Sequence, residues 1–245
     1  MTEKTSPAPT DASDAAALDQ SRGDTNGDTN TSNTHSTDRV TERPRIAPRD
    51  QRVIWLLLAA TFVVILNETI MSVALPKLMD DLHIDALAAQ WLSTAFMLTM
   101  AVVIPMTGFL LQRFTTRQVF IAAMSLFSLG TLVAALAPGF GVLVGARVIQ
   151  ACGTAIMLPL LMTTLMTLVP PALRGRTMGN VSIVISVAPA IGPTISGVIL
   201  NFLDWRWIFL IVLPIALAML LIGIRFVENV TETEKSRIDV LSVIL

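Results

Sequence analysis

After a polar N-terminal stretch, the chain consists of long apolar runs separated by short polar connections. A run of roughly 20 apolar residues is long enough to cross a bilayer as an α-helix, and six such runs are present. They occupy residues 54–75, 90–111, 119–137, 141–169, 178–203 and 207–226. The pattern therefore predicts an all-α membrane protein with six spans.

The two ends of the chain differ in composition from the apolar runs. Residues 1–52 are rich in Ser, Thr, Asp, Asn, Pro and Gly and contain too little apolar surface to form a core, so they are predicted to be a disordered tail. Residues 53–227 form the six-span unit, and residues 228–245 contain a polar linker and a short final apolar segment. No short apolar core with a cleavage site follows Met1, so we expect the first span to be an uncleaved anchor.

Composition and charge agree with this division. Hydrophobic residues make up 53% of the chain, charged residues 14%, and the mean hydropathy is +0.68. Basic residues concentrate in the tail, in the connections between spans two and three and between spans four and five, and after span six. Because short cytoplasmic connections retain Lys and Arg, both ends of the six-span unit are predicted to be cytoplasmic. We expect a multi-pass protein of the plasma membrane.

Two charged side chains, Glu68 and Arg147, lie well inside the predicted spans, where we place them within the hydrocarbon layer. Charge is costly in a hydrocarbon layer and usually functional there. With a rise of 1.5 Å per residue, Glu68 lies roughly 21 Å from the cytoplasmic start of span one, and Arg147 roughly 9 Å from the outer start of span four. In a layer about 30 Å thick these depths coincide, so the two side chains can share one cavity or form a pair.

The functional hypothesis is that Glu68 binds and releases a proton, or binds a cationic substrate, while Arg147 changes its proton affinity between conformations. The alternative is a fixed ion pair or polar cluster that only orients helices. Asn67 and Gln150 belong to the same candidate site, since Gln150 lies one helical turn from Arg147. Adjacent residues on a helix point about 100° apart, so whether Asn67 or Glu68 faces the cavity stays open.

Span five contains small residues and two prolines in SVAPAIGPTISG, residues 186–197. Pro189 and Pro193 each remove a backbone donor. Small residues on one surface let helices approach closely, and here they are Ala188, Gly192, Ser196 and Gly197. The segment predicts either plain close packing or a bend that takes part in gating.

Motifs for catalysis are absent from the sequence. It contains no metal-binding cluster, no nucleophile triad and no phosphate-binding loop, and its single cysteine, Cys152, falls within a span. We therefore expect no enzymatic activity, no metal and no cofactor. A proton gradient is the expected energy source, and nucleic acid is not an expected partner.

Four segments carry a resemblance to a known family. LNETIMSVALP at residues 66–76, LVGARVIQACGTA at 143–155, AIGPTISG at 190–197 and WRWIF at 205–209 are similar to signatures of spans one, four, five and six. In this order they resemble the N-terminal half of a major facilitator superfamily transporter of the fourteen-span drug:proton antiporter type. Residues 238–245 resemble the start of that family's seventh span and are too short to cross a bilayer.

The chain also departs from the family pattern. Asn67 stands where the family usually has an aspartate, and the acid is found at Glu68 instead. The loop between spans two and three, GFLLQRFTTRQVF, keeps Gly108, Arg113 and Arg117 of the family's loop motif, but Gln112 replaces its acid.

The resemblance implies a six-span bundle of two inverted three-span repeats and proton-coupled efflux of hydrophobic or cationic drugs by alternating access. Such efflux gives resistance to antibiotics. It also implies that this half is incomplete alone and needs a C-terminal half or a second half-transporter as partner. The alternatives are an exporter of an endogenous lipid or metabolite, and a non-transporting membrane subunit of a split transporter.

Overall fold

The structure, a computed structural model, describes residues 46–227, and within them the chain forms six helices and no strand. Each helix is long and apolar enough to cross a membrane, as the apolar runs predict. The helices are α1 (Pro48–Leu82), α2 (Ala86–Arg113), α3 (Thr116–Ala135), α4 (Phe140–Leu168), α5 (Pro171–Phe202) and α6 (Arg206–Phe226).

Local chemistry accounts for several helix ends. The Asp85 side chain accepts a hydrogen bond from the Ala88 backbone nitrogen at 2.8 Å, which caps α2. Thr115 and Gln118 form a reciprocal capping box at the start of α3. Pro48 and Pro171 occupy the first turns of α1 and α5, where a missing backbone N–H costs nothing.

The start of α1 differs from the predicted boundary. Residues 48–52, assigned above to the disordered tail, belong to α1, because a proline in the first turn favours a helix before the apolar run begins. The rest of the predicted tail and the predicted linker at 228–245 lie outside the described residues, apart from residues 46 and 47. Those two predictions stay predictions.

The helices pack in a pattern that repeats with twofold symmetry. Helices α1 and α4 contact each other at the centre, α5 packs on α1 as α2 packs on α4, and α6 packs on α1 as α3 packs on α4. The remaining large contact is between α3 and α6, the third helix of each half of the bundle. Exchanging α1–α3 with α4–α6 therefore preserves the packing, which agrees with inverted three-span repeats.

The interior contains two apolar clusters. One includes Leu57, Phe120 and Leu161 and lies toward the end of the bundle where α1 begins. This is called the basic end, because Arg113 at the end of α2 and Arg174 at the start of α5 lie there. The other cluster includes Leu78, Leu143 and Phe209 and lies toward the opposite end.

Between the clusters, α1, α3 and α4 contribute buried polar side chains, which together are called the polar layer. Its members are Asn67, Ser128, Thr131, Arg147, Gln150 and Thr154. In an apolar solvent such groups must find partners within the protein, so the polar layer is the natural place to look for function.

Glycines bring α3 and α4 into backbone contact at the polar layer. A Cβ atom on Gly130 would lie 2.6 Å from the backbone nitrogen of Gln150. A Cβ atom on Gly153 would overlap the Ala123 carbonyl oxygen and lie 2.7 Å from the Phe127 nitrogen. Small residues let membrane helices approach in this way. Here the two glycines allow the short distance between the α3 and α4 backbones.

We expect Gly153→Ala to destabilise the bundle by about 1–3 kcal/mol, because the added methyl group meets backbone atoms that cannot move aside. The matched control is Gly145→Ala in the same helix, where a Cβ would meet nothing within 4 Å. The control should be neutral or slightly stabilising, since alanine favours a helix over glycine. Thermal unfolding of the purified chain in detergent measures both, and equal melting temperatures would contradict the close approach.

Candidate functional site

Arg147 is the centre of the polar layer. Its side chain is 1% exposed, and Nη1 donates a hydrogen bond to Gln150 Oε1 at 2.6 Å. The guanidinium carbon lies 4.0 Å from the centroid of the Phe96 ring, which belongs to α2. A cation above an aromatic face is attracted by the ring's quadrupole, and more strongly where water is excluded. The charge is therefore held between its own helix and α2.

The hydrogen bonds continue from Arg147 into α3. Gln150 Nε2 donates to Thr131 Oγ1 at 2.8 Å, and Thr131 Oγ1 donates to the Phe127 carbonyl oxygen at 2.7 Å. Arg147 and Gln150 are one turn apart on α4 and share a face, as their spacing predicts. The result is a directed chain of donors that starts at the guanidinium and ends on the backbone of α3.

Some polar atoms in the layer have no hydrogen-bond partner within the described residues. They are Arg147 Nε, Ser128 Oγ and both side-chain atoms of Asn67, whose side chain is 0% exposed. Most buried polar atoms in proteins are satisfied, so the exceptions need an explanation. Both ends of the Asn67 amide therefore lack a partner in this arrangement of the helices.

Glu68 lies at the edge of this cluster. Its side chain is half-buried, unlike the fully buried Asn67, and it interacts electrostatically with Arg147. Among the described residues, no nitrogen–oxygen distance of 4.0 Å or less joins the two side chains. The two groups are thus near enough to interact, but they do not form the contact ion pair that the sequence left open. Of the two adjacent polar residues, Glu68 is the one that reaches a surface of the bundle.

Helix α5 packs on α1 directly beside Glu68. A Cβ on Gly192 would lie 2.6 Å from Thr69 Cγ2, and Ser196 Oγ donates to the Ile70 carbonyl oxygen at 3.1 Å. The residues of α1 that follow Glu68 are thus held by α5 on one side. The sequence predicted Ser196 only as one of the small residues on this face of span five, four residues after Gly192; its hydrogen bond to α1 was not predicted.

The other residues of the span-five motif lie away from this contact. Pro189 and Pro193 are exposed, and α5 continues as one helix through both. A Cβ on Gly197 would meet nothing within 4 Å, so this glycine is not part of the close contact predicted for it. The buried small surface consists of Ala188, Gly192 and Ser196, because four-residue spacing keeps side chains on one face.

The loop between α2 and α3 connects to α6. Arg117 Nη2 donates to the Ile224 carbonyl oxygen at 2.7 Å, which satisfies an acceptor near the C-terminus of α6. Gly108 and Arg113 are exposed, and a Cβ on Gly108 would meet nothing within 4 Å. None of these residues touches the polar layer, which belongs to the middle of the bundle.

Two residues of the site were not predicted from the sequence. Phe96 and Thr131 come from α2 and α3, and each is an ordinary residue of an apolar span. The hydroxyl of Thr131 is the only feature of the sequence that could have indicated a hydrogen-bond partner on α3. Nothing in the sequence around Phe96 indicates a cation above its ring. In the described residues, groups of His, Cys, Asp or Glu that could hold a metal ion were not found.

Comparison with known proteins identifies the family. Residues 57–240 match the family profile described as Major Facilitator Superfamily. The chain belongs to this superfamily of membrane transporters, which are not enzymes. Together with the six apolar helices, this makes it a multi-pass membrane protein.

Individual relatives agree with the family. The chain is 50% identical over 193 residues to an uncharacterised transporter of this type, YcnB, from Bacillus subtilis (strain 168), covering 79% of this chain and 41% of the relative. It is 44% identical over 189 residues to the lincomycin resistance protein LmrB of the same organism, covering 77% of this chain and 40% of the relative. The chain thus spans less than half the length of the curated relatives it matches.

The fold agrees with solved structures. A bacterial homologue of the human lysosomal transporter Spinster, in an inward-facing and occupied conformation, superposes with a TM-score of 0.67 at 18% identity. The superposition covers 78% of this chain and 47% of that one. The similarity extends to the arrangement of helices and carries no information about substrate.

We expect Thr131→Val to destabilise the bundle by about 1–3 kcal/mol, because it leaves the buried Gln150 amide without an acceptor. Thr61→Val is the matched control, since Thr61 is equally buried but its hydroxyl bonds only to Leu57 in its own helix. The control should change the melting temperature of the chain in detergent much less. Equal losses in the two variants would contradict the role of Thr131 as an acceptor.

Proposed function

We propose that the chain is the N-terminal half of a transporter that exports hydrophobic or cationic drugs in exchange for protons. Glu68 is the residue that takes up and releases the proton, and Arg147 is the fixed charge that makes its protonation depend on conformation. Transport follows alternating access, in which this half rocks against a second half. The basic end faces the cytoplasm, and the protein acts in the cell membrane.

The observation that carries the proposal is the position of Glu68 beside a buried cation that it does not contact. Arg147 already has Gln150 and Phe96 as partners, so it does not need the carboxylate to stay buried. Glu68 is half-buried, and its carboxyl group interacts electrostatically with Arg147 without forming an ion pair with it. A carboxyl group in such a position can exchange a proton with water when its side of the bundle is open.

Helix α5 gives a means of coupling protonation to movement. The α1 residues that follow Glu68 are packed on Gly192 and bonded by Ser196, so a shift of α5 changes the surroundings of the carboxyl group. Pro189 and Pro193 leave two carbonyl groups of α5 without their usual donors, which lowers the cost of bending there. The span-five motif then acts as a gating element through α1.

Similarity to drug resistance proteins supports the substrate class. The relatives include lincomycin resistance proteins and, at 33% identity, a putative multidrug resistance protein of Yersinia enterocolitica. The chain spans about 40% of these relatives, so a second half is the proposed partner and contributes the other wall of the substrate cavity.

We expect Glu68→Gln to abolish proton-driven transport while leaving membrane insertion intact, because the amide cannot carry a proton. The test uses a fusion of this chain with the C-terminal part of the 50%-identical Bacillus subtilis transporter, reconstituted in proteoliposomes with an imposed pH gradient. The chain alone is measured beside it, and we expect it to be inactive. Normal gradient-driven flux in the Glu68→Gln fusion would rule out the proton-carrier role.

Matched variants separate the carboxyl group from general effects of charge. Asp81→Asn removes a carboxylate that pairs with Lys77 at 3.6 Å outside the polar layer, and it should leave transport unchanged. Arg147→Lys keeps the charge but not the planar guanidinium, so it should lose less activity than Arg147→Ala if charge is what matters. Equal losses would assign the role of Arg147 to hydrogen-bond geometry instead.

The substrate class is tested by growth of cells that express the fusion. Resistance to lincomycin or to a panel of hydrophobic cations, lost in Glu68→Gln, would support drug export. Unchanged drug resistance together with an altered content of extracted lipids would favour export of an endogenous lipid.

A further inference from the structure

Two cavities at the basic end of the bundle meet on the surface of α1. One lies between α1 and α5 and has a volume of about 490 Å³. The other lies between α1 and α6 and has a volume of about 500 Å³. Gln51 and Trp55 line both, so the two cavities adjoin where α1 is uncovered between α5 and α6.

The cavity between α1 and α5, called the donor cavity, is lined by hydrogen-bond donors. Arg176, Asn180 and Gln51 contribute a guanidinium group and two amides, and no acidic side chain occurs among the described residues that line it. Within the described part of the chain, the Arg176 and Asn180 side chains make no hydrogen bond to protein atoms. Their donors are therefore free to bind an anion. Guanidinium and amide groups together match the oxygens of a phosphodiester.

The cavity between α1 and α6, called the apolar groove, has a different lining. Leu56, Ala59, Met219 and Phe226 form its walls, with Arg52 among the residues that line it. Small Ala59 leaves space between the two helices, and Met219 adapts to an irregular apolar partner. The groove suits a hydrocarbon chain.

The donor cavity is polar and the apolar groove is not, which matches the polar headgroup and the hydrocarbon chains of a phospholipid. Trp55 lies between them, 54% exposed, as an indole ring does at the boundary between headgroups and chains. Arg176 and Arg52 make the region positive, so a net negative headgroup fits better than a zwitterionic one, whose ammonium group would face these cations. We propose that one anionic phospholipid binds here, with its phosphate in the donor cavity and an acyl chain in the apolar groove.

Tryptophan fluorescence provides a direct test, because Trp55 lines both cavities. In the variant Trp91→Phe/Trp207→Phe, the remaining tryptophans are Trp55 and Trp205, and Trp205 is 1% exposed and shielded from lipid. The chain is reconstituted in phosphatidylcholine with increasing amounts of chain-brominated phosphatidylglycerol, and in parallel with chain-brominated phosphatidylcholine. We expect saturable quenching of Trp55 and about a fivefold preference for the anionic lipid.

Two charge-removing variants distinguish a site from general attraction. Arg176→Gln should lower the preference to about onefold to twofold, because it removes the cation of the donor cavity. Arg113→Gln removes the same charge at the same end of the bundle but outside both cavities, and it should keep the full preference. Unchanged quenching by brominated phosphatidylcholine shows that each variant is folded and inserted.

The proposal is overturned if the parent protein has no preference for the anionic lipid. It is equally overturned if Arg113→Gln lowers the preference as much as Arg176→Gln, since the attraction then belongs to the basic end as a whole. The experiment measures lipid binding and not transport. Its outcome therefore does not depend on whether the function proposed above is correct.

Discussion

Holding one guanidinium group in the middle of an apolar bundle is the constraint on which the rest of the arrangement depends. A buried charge without partners is strongly destabilising, so the helices around Arg147 must supply them. Helix α4 supplies Gln150, α2 supplies the face of Phe96, and α3 supplies Thr131 behind Gln150. Three helices are thereby tied to one charge, at a level between the two apolar clusters.

Close helix contact is the second requirement, and glycine meets it. The 2.8 Å hydrogen bond from the Gln150 side chain to the Thr131 hydroxyl needs the α3 and α4 backbones to approach closely. Gly130 and Gly153 allow this, and Gly192 allows the corresponding approach of α5 to α1. Dispersion and these few polar contacts, not a hydrophobic driving force, hold membrane helices together. The small residues of the sequence are therefore as much a part of the site as its polar ones.

Polar contacts of this kind also suit a protein that changes conformation. The apolar clusters on either side of the polar layer are well packed, whereas the layer contains an unsatisfied amide at Asn67 and a carboxyl group at Glu68 that is not locked to its cation. Such a layer can rearrange its bonds at small cost when neighbouring helices move. The proposed exchange of a proton at Glu68 uses this property, and α5 is the helix best placed to drive it, since it holds the α1 residues beside the carboxyl group.

The sequence by itself determined the number of helices, the two charges within them and their common depth, because each of these follows from runs of apolar residues and a fixed rise per residue. It also indicated the family through short motifs, and it placed Gln150 on the face of Arg147. Only the tertiary structure decided that Phe96 and Thr131 complete the site, that Glu68 and Arg147 interact without touching, and that Gly192 rather than Gly197 contacts α1. These features depend on which helices are neighbours and how each is rotated about its axis. Rotation is set by side-chain packing between segments far apart in the chain, and the periodicity of a span that is apolar all round does not reveal it.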